Sequence, residues 1–364
     1  MKFSIRKNSS GVALIIVMIA IFVLAIMVAG FAYSMKVETQ LAKNADNEHE
    51  LLWLGRSGVE FARWVLAQEA AVAEEPYDSL NQIWAGGPGG GGETNSVLSG
   101  ISLDNYQIGD GTVTIKIIDL ERKANINTAS TAILQQAMTV MGVDADTLST
   151  VSDSIQDWID TDDSPRIAGA ESDYYQGLPT PYIAKNAPID DMSELLLVKG
   201  IADHPEIYWG GSATNHPGAS FQQHQQKLGF GNAPGQAPDY PFGLVDVFTP
   251  FSRGQININT ADTNVLQLIT GVDANTAATI IQQRAGPDGV DGTADDTPFR
   301  NPSSALTAAG ISAAVAAQIS RVCTTRSYTF EVHVTAKIGD YTRDYTALLF
   351  RNGGDVEVLS FYWK

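Results

Sequence analysis

Cysteine is almost missing from this chain. Cys323 stands alone among 364 residues, so no intrachain disulfide can form even in an oxidising compartment. Proline is missing from the whole N-terminal region up to Pro76, which leaves no residue there that must break a helix. Positive charge is scarce: 23 Lys and Arg stand against 41 Asp and Glu, a net −18. A chain this acidic repels nucleic acid and anionic headgroups and suits the binding of cations. The five histidines (His49, His204, His216, His224 and His333) are scattered, with no His-Glu-x-x-His or comparable metal spacing. Cys323, in a Val-Cys-Thr context, reads as a buried small residue rather than a nucleophile. Two clustered carboxylates could form a glycosidase pair, but the crowding of acids around Asp160 favours a cation over a protonated acid. These absences argue against an enzyme.

What is present begins with a segment that has no charge at all. Residues 12–35 contain neither a charged residue nor a proline. As a helix they extend about 36 Å at about 1.5 Å per residue, enough for a hydrocarbon core of about 30 Å. Only helices and closed barrels satisfy their backbone in lipid, so this run is expected to be helical. Lys2, Arg6 and Lys7 precede it, and the positive-inside rule places everything after it outside the cytoplasm. A secretory signal peptide is the alternative, with Ala29-Gly30-Phe31-Ala32 as an imitation of its cleavage site. The run is long for that, and the helical pattern continues beyond it. Leu51, Leu54, Gly58, Phe61 and Val65 are spaced 3, 4, 3, 4, a seam for packing on a sheet. One helix from Val12 to about Ala73 is the expectation.

Residues 86–92 (GGPGGGG) form a flexible surface loop; a phosphate cradle would need a following Lys-Ser and a strand just before. Residues 111–120 alternate as a strand. Three more strands, 327–338, 341–350 and 355–362, are separated by the short glycine turns Gly339-Asp340 and Asn352-Gly353-Gly354. The intervening residues 121–326 therefore read as an insertion into one antiparallel sheet. It holds an internal repeat: Asn125-Ile126-Asn127-Thr128-Ala129 recurs as Asn257-Ile258-Asn259-Thr260-Ala261. Each copy precedes a helical segment, the sequence Gly-Val-Asp-Ala (Gly142 to Ala145, Gly271 to Ala274) and a second helical segment. Thr or Asn directly before the helix is expected to cap it, and the glycine to end it. Leu197-Val198-Lys199-Gly200-Ile201 is a weaker third turn, and residues 210–254 read as loops.

Oxygen ligands for a hard cation are concentrated in Asp157-Trp158-Ile159-Asp160-Thr161-Asp162-Asp163, followed by Glu171 and Asp173. Calcium takes six to eight oxygens, and this loop supplies the density without the spacing of an EF-hand. A solvated acidic loop is the alternative. A second candidate comprises Asp288, Asp291, Asp295 and Asp296 among turn-forming glycines, with an exposed acidic turn as its alternative.

Several of these features together resemble one family. Ser10-Gly11-Val12 ahead of the apolar run is similar to the class III signal of type IV pilins and pseudopilins. The resemblance implies cleavage by a prepilin peptidase between Gly11 and Val12 and N-methylation of Val12. The glutamate usual at the fifth mature position is replaced by Ile16; a buried carboxylate in lipid needs a partner, and a subunit lacking it has no such partner above it. The missing glutamate, the Asp-Trp-x-Asp-x-Asp segment with Gly-Ala-Glu-x-x-x-Tyr (Gly169 to Tyr175), and Phe-Thr-x-x-Ser (Phe248 to Ser252) resemble the K-type minor pseudopilins of type II secretion.

That resemblance implies an α+β pilin-like fold: a long N-terminal transmembrane helix on an antiparallel sheet, with a large helical insertion carrying helix-hairpin-helix (SAM-like) repeats. The expected divisions are a leader at 1–11, a membrane segment at 12–35, a pilin body at 36–120, the insertion at 121–326 and closing strands at 327–364. It also implies structural calcium, the I-type and J-type minor pseudopilins and the major pseudopilin as partners, and a single-pass anchor in the bacterial inner membrane with a periplasmic domain. The function implied is a tip subunit that starts or caps the pseudopilus for export of folded proteins. Two alternatives stand beside it: the tip of a type IV pilus, and a membrane-anchored DNA-binding protein. The aspartates Asp144 and Asp273 at the hairpins and the net acidity speak against nucleic acid.

Overall fold

The computed structural model describes residues 10–89, 97–210 and 240–363. Most of the leader, part of the glycine-rich run and much of the 210–254 segment lie outside the described residues.

The proline-free N-terminal region forms one helix, α1 (Ser10–Ala70). Its first half is bare, with Leu14, Ile16, Phe22 and Phe31 all exposed. Among the described residues this is the helix long and apolar enough to cross a membrane. From Leu51 onward the same helix is buried along the expected seam, with Val65 and Leu66 fully enclosed. The helix ends at Ala70, three residues before the end near Ala73 that the sequence suggests.

After α1 come β1 (Tyr106–Ile108) and β2 (Gly111–Asp119). The insertion opens with β3 (Ala124–Asn125), α2 (Thr131–Met141), α3 (Ala145–Ile159), α4 (Ser172–Gln176) and α5 (Glu206–Trp209). It resumes with α6 (Leu244–Val247), β4 (Phe248–Thr249), β5 (Ile256–Asn257), α7 (Thr263–Leu266) and α8 (Ala274–Arg284). It closes with α9 (Pro302–Ala308), α10 (Ala313–Ile319) and β6 (Cys323–Thr324). The chain then completes its sheet with β7 (Thr329–Ile338), β8 (Tyr341–Asn352) and β9 (Asp355–Trp363).

The five-stranded sheet has the order β1-β2-β7-β8-β9, antiparallel throughout. Ile338 pairs with Tyr341 and Asn352 with Asp355, so both hairpin turns fall where the glycines predict them; Gly339 and Gly353 carry positive φ. Inward residues of β2, β7 and β8 (Val113, Ile115, Val332, Val334, Ala347) meet Leu54, Val59, Ala62 and Val65 of α1. Two glycines allow the close approach. A Cβ at residue 58 would lie 2.5 Å from Val334 Cγ1, and one at residue 55 would lie 2.4 Å from the Tyr345 ring.

The insertion has its own core, built around Ile126, Leu134, Met138, Ile155, Trp158, Leu266 and Ile280. Two short parallel pairings, β3 with β4 and β5 with β6, tie each of its ends to its middle, residues 248–257. The repeated Asn-Ile-Asn-Thr-Ala does the same work twice. Asn125 Oδ1 accepts from Asn127 N (2.8 Å), and Asn257 Oδ1 from Asn259 N (2.9 Å). Asn127 then clasps both backbone groups of Ile189, as Asn259 clasps those of Phe299. The helix caps are not the expected Thr or Asn: Ser130 caps α2 and Asp262 caps α7. Thr260 is otherwise engaged, its hydroxyl donating to Asp119 at 2.5 Å.

Gly142 and Gly271 sit at φ +87°, and Asp144 and Asp273 cap the helices that follow. Gly200 has the same φ, but a 3-10 turn (Met192–Leu197) precedes it and only the short α5 follows. A turn overlooked in the sequence, Gly310-Ile311-Ser312, joins α9 to α10.

Body and insertion meet through buried polar groups. Glu121 accepts from the backbone N–H groups of Tyr328, Thr329 and Arg253. Asp78 pairs with Arg351 and accepts from Ser327 N. This junction lies at the Asp119–Phe330 end of the sheet. At the opposite end, Gly111 faces Leu54 and Arg343 pairs with Glu48. The insertion is therefore mounted at the sheet end remote from the apolar half of α1.

Candidate metal centre

The acidic stretch begins on the last turns of α3. Asp157 is fully buried there, beside Trp158, whose ring meets Tyr175 edge-on at 5.3 Å. The loop 160–171 then turns back under α3. Its backbone is fastened at several points: Arg166 N to Asp157, Ala168 N to Asp153 Oδ2, and Lys199 Nζ to the carbonyls of Ala168 and Gly169. Gly169 is needed at its position, since a Cβ there would fall 1.9 Å from Asp157 Oδ2.

Within this frame Asp160, Asp162 and Glu171 each present an oxygen within 4.8 Å of the others. Two oxygens each about 2.4 Å from a shared ion are at most about 4.8 Å apart, so the three fit one hard cation. The stronger observation is an unmet need. Glu171 is 3% exposed, yet neither of its carboxylate oxygens has a hydrogen-bond partner, and Asp160 Oδ1 is likewise buried without one. Burial first, and then the carboxylates of Asp157, Asp160, Asp163 and Asp162, push the Glu171 carboxyl up to about 7. Buried carboxylates normally meet donors or a cation.

The structure divides the six residues singled out in the sequence. Asp160, Asp162 and Glu171 come together. Asp157 is held by Arg166, whose Nη1 lies 2.6 Å from its Oδ1 and 2.5 Å from Asp160 Oδ2. Asp163 accepts from Ser172 Oγ and Asn186 Nδ2. Asp173 is exposed in the first turn of α4 and stands outside the group. Sequence reasoning missed two residues. Arg166 lies inside the stretch but reads as an ordinary loop cation. Asn186 is remote in sequence; its Nδ2 holds Asp162 O and Asp163 Oδ1, and its buried Oδ1 has no partner.

The second acidic stretch behaves differently. Asp291 forms a two-pronged pair with Arg284, and Asp288 Oδ1 accepts from Val290 N. Asp295 accepts from Asp288 N and the Thr293 hydroxyl; Asp296 accepts from Gly292 N and Thr293 N. Its carboxylates hold the turn together themselves, and among the described residues no three of them converge as the first group does. At the hairpins, Asp144 and Asp273 accept from Thr147 N and Thr276 N. Those bonds hold both carboxyls below their usual range and occupy N–H groups that a phosphate would need. Gly11 and Val12 fall at the start of α1.

Residues 114–207 match the family model described as type II secretion system protein K. Type II secretion system protein K of Pseudomonas aeruginosa is 24% identical over 204 residues, 53% of this chain and 58% of that protein. The putative type II secretion system protein K of Escherichia coli K12 is 25% identical over 213 residues, 55% of this chain and 60% of that protein. The chain thus spans a little over half the length of these curated relatives. The solved GspK–GspI–GspJ complex of the enterotoxigenic Escherichia coli type 2 secretion system contains a chain of the same fold, with a TM-score of 0.60 at 19% identity; the match covers 89% of this chain and 99% of that one. The resemblance to type II secretion system protein K is found again in the family model over residues 114–207, in the curated relatives and in the fold.

Proposed function

We propose that this chain is a K-type minor pseudopilin, a structural subunit that starts and caps the tip of a type II secretion pseudopilus. The observation that carries this is the arrangement of the molecule along α1. Its apolar first half is bare for lipid or for neighbouring helices, its second half carries the sheet, and the insertion crowns the far end. Stacked pilin-like subunits need both ends of the body free. A bulky domain on one end leaves only the other for assembly, so the filament stops there. Ile16 in place of a carboxylate agrees with a subunit that has no neighbour above. In this reading the I-type and J-type minor pseudopilins join it at the tip, the major pseudopilin follows below, and the anchor starts in the inner membrane.

The processing step tests the reading. Gly11 replaced by a bulky residue should leave the precursor uncut by prepilin peptidase, visible as an intact N-terminus by mass spectrometry, and secretion in the parent bacterium should cease. Normal secretion by an uncut precursor would refute it.

Calcium is proposed as the resident ion of the first acidic site, held by Asp160, Asp162 and Glu171. Its contribution is to neutralise these carboxylates and fasten the 160–171 loop to α3 and α4. Calcium should raise the melting temperature of the full chain, and Glu171→Gln should remove most of that rise. Equal stabilisation of the variant would place the ion elsewhere.

A further inference from the structure

Arg166 already sits in the first acidic site as a fixed cation. One nitrogen, Nη1, bridges Asp157 Oδ1 and Asp160 Oδ2, and the backbone N–H of the same residue bonds Asp157. The opposite oxygen of Asp160 and both oxygens of Glu171 are left buried without partners. The cluster is therefore partly neutralised from within, by one cation among four carboxylates. Its inner half belongs to the guanidinium, and its outer half, reaching Asp162 and Glu171, has the oxygens a divalent ion takes. Asp160 belongs to both halves. Any ion that enters must share this carboxylate with a positive charge in direct contact with it, at a distance where Coulomb repulsion is substantial.

We propose that Arg166 sets the affinity of this site, weakening divalent-cation binding while keeping the loop folded when no ion is bound. The inference rests on the calcium reading above and adds to it a residue with two opposed effects. Without an ion, the guanidinium holds α3 to the 160–166 turn and partly offsets the repulsion among Asp157, Asp160, Asp162 and Glu171. With an ion present, the same charge opposes it. The site is thereby tuned to respond to changes in calcium at a higher concentration than its carboxylates alone would require.

The test uses the full-length protein in detergent micelles, stripped with a chelator and titrated with calcium by calorimetry. Melting is followed in parallel by tryptophan fluorescence. Arg166→Gln is expected to bind calcium about tenfold more tightly while melting a few degrees lower without it. Arg166→Lys, which keeps the charge, should bind within about twofold of the parent. A residue that merely shaped the loop would lose affinity and stability together. Unchanged or weaker binding by Arg166→Gln overturns the proposal, as does a large loss of affinity in Arg166→Lys, which also serves if the glutamine variant fails to fold. If the parent protein itself binds no calcium, the calcium reading falls, and this inference falls with it.

Discussion

Glu69 shows how much a single side chain can ask of its surroundings. It lies on the last turn of α1, is 5% exposed, and accepts from Ile83 N at 3.0 Å. Burial, with smaller pushes from Glu75 and Asp78, raises its carboxyl from about 4.5 to about 7, against the opposing Ile83 N–H and Arg351. A carboxyl whose pKa is higher folded than unfolded binds more protons in the native state. Its stabilising effect is complete below about pH 4.5 and is lost as the pH rises through about 7. Stability should therefore decline between pH 5 and pH 8, and Glu69→Gln, which retains an acceptor for Ile83 N–H, should flatten part of that decline. At pH 8 the variant should be the more stable by at most about 3 kcal/mol, measured by denaturant melts. Asp119 shifts in the same direction for the same reason, so the parent-minus-variant difference is the quantity to read. An identical pH slope in the variant would show that Glu69 is solvated.

Single residues also mark where the sequence was legible and where it was not. Glu171, Asp160 and Asp162 were recognisable because chemistry and nearness in sequence coincide. Asn186 was not, because what brings it to Asp163 is the fold of the segment 171–186 and no periodicity records it. The capping roles of Ser130 and Asp262 were hidden by a more conspicuous motif. The side chains of Asn125 and Asn257 close turns on the backbone two residues ahead, which postpones the helix start past the threonine.

Among the elements, α1 was the most legible. A run without proline and a seam of period 3.5 determine it, and the structure follows both. The strands were legible for a similar reason, since alternation and glycine turns are local signals. Local sequence says less about how closely helix and sheet approach. Gly58 falls in the seam, but its reason is the Val334 methyl directly beneath, and Gly55 performs the same service over Tyr345. Gly58→Ala gains helix propensity of about 1 kcal/mol but presses a methyl into a filled core, which costs about 1–3 kcal/mol. A net loss is expected, read as a lower melting temperature. A variant as stable as the parent would mean that the helix can ride higher on the sheet without penalty. The hairpins of the insertion were half legible: Gly142 and Gly271 stand out through their repeated context, whereas Gly310 is followed by Ile-Ser and escapes the pattern.

The whole molecule is a body of one long helix on an antiparallel sheet with a second core mounted on it. The sequence indicated the insertion because strand signals vanish after residue 120 and return near 327. It did not indicate on which end of the body the insertion sits, because that depends on strand direction relative to α1. Strands β2 and β7 are antiparallel neighbours, with Asp119 opposite Phe330. Topologically they are a hairpin whose turn has been replaced by an entire domain.

That arrangement has a consequence in time. The ribosome emits β2 long before its neighbour in the sheet. At about 5–20 residues per second, the roughly 200 residues between them delay β7 by about 10–40 s. Throughout that interval α1 and β2 have no central strand to close on, while the insertion is emitted from its first helix onward and gains its last core residue, Cys323, just before β7. The crown of the molecule is thus emitted before the sheet of the stem that bears it can close, and that sheet is closed by β7, β8 and β9.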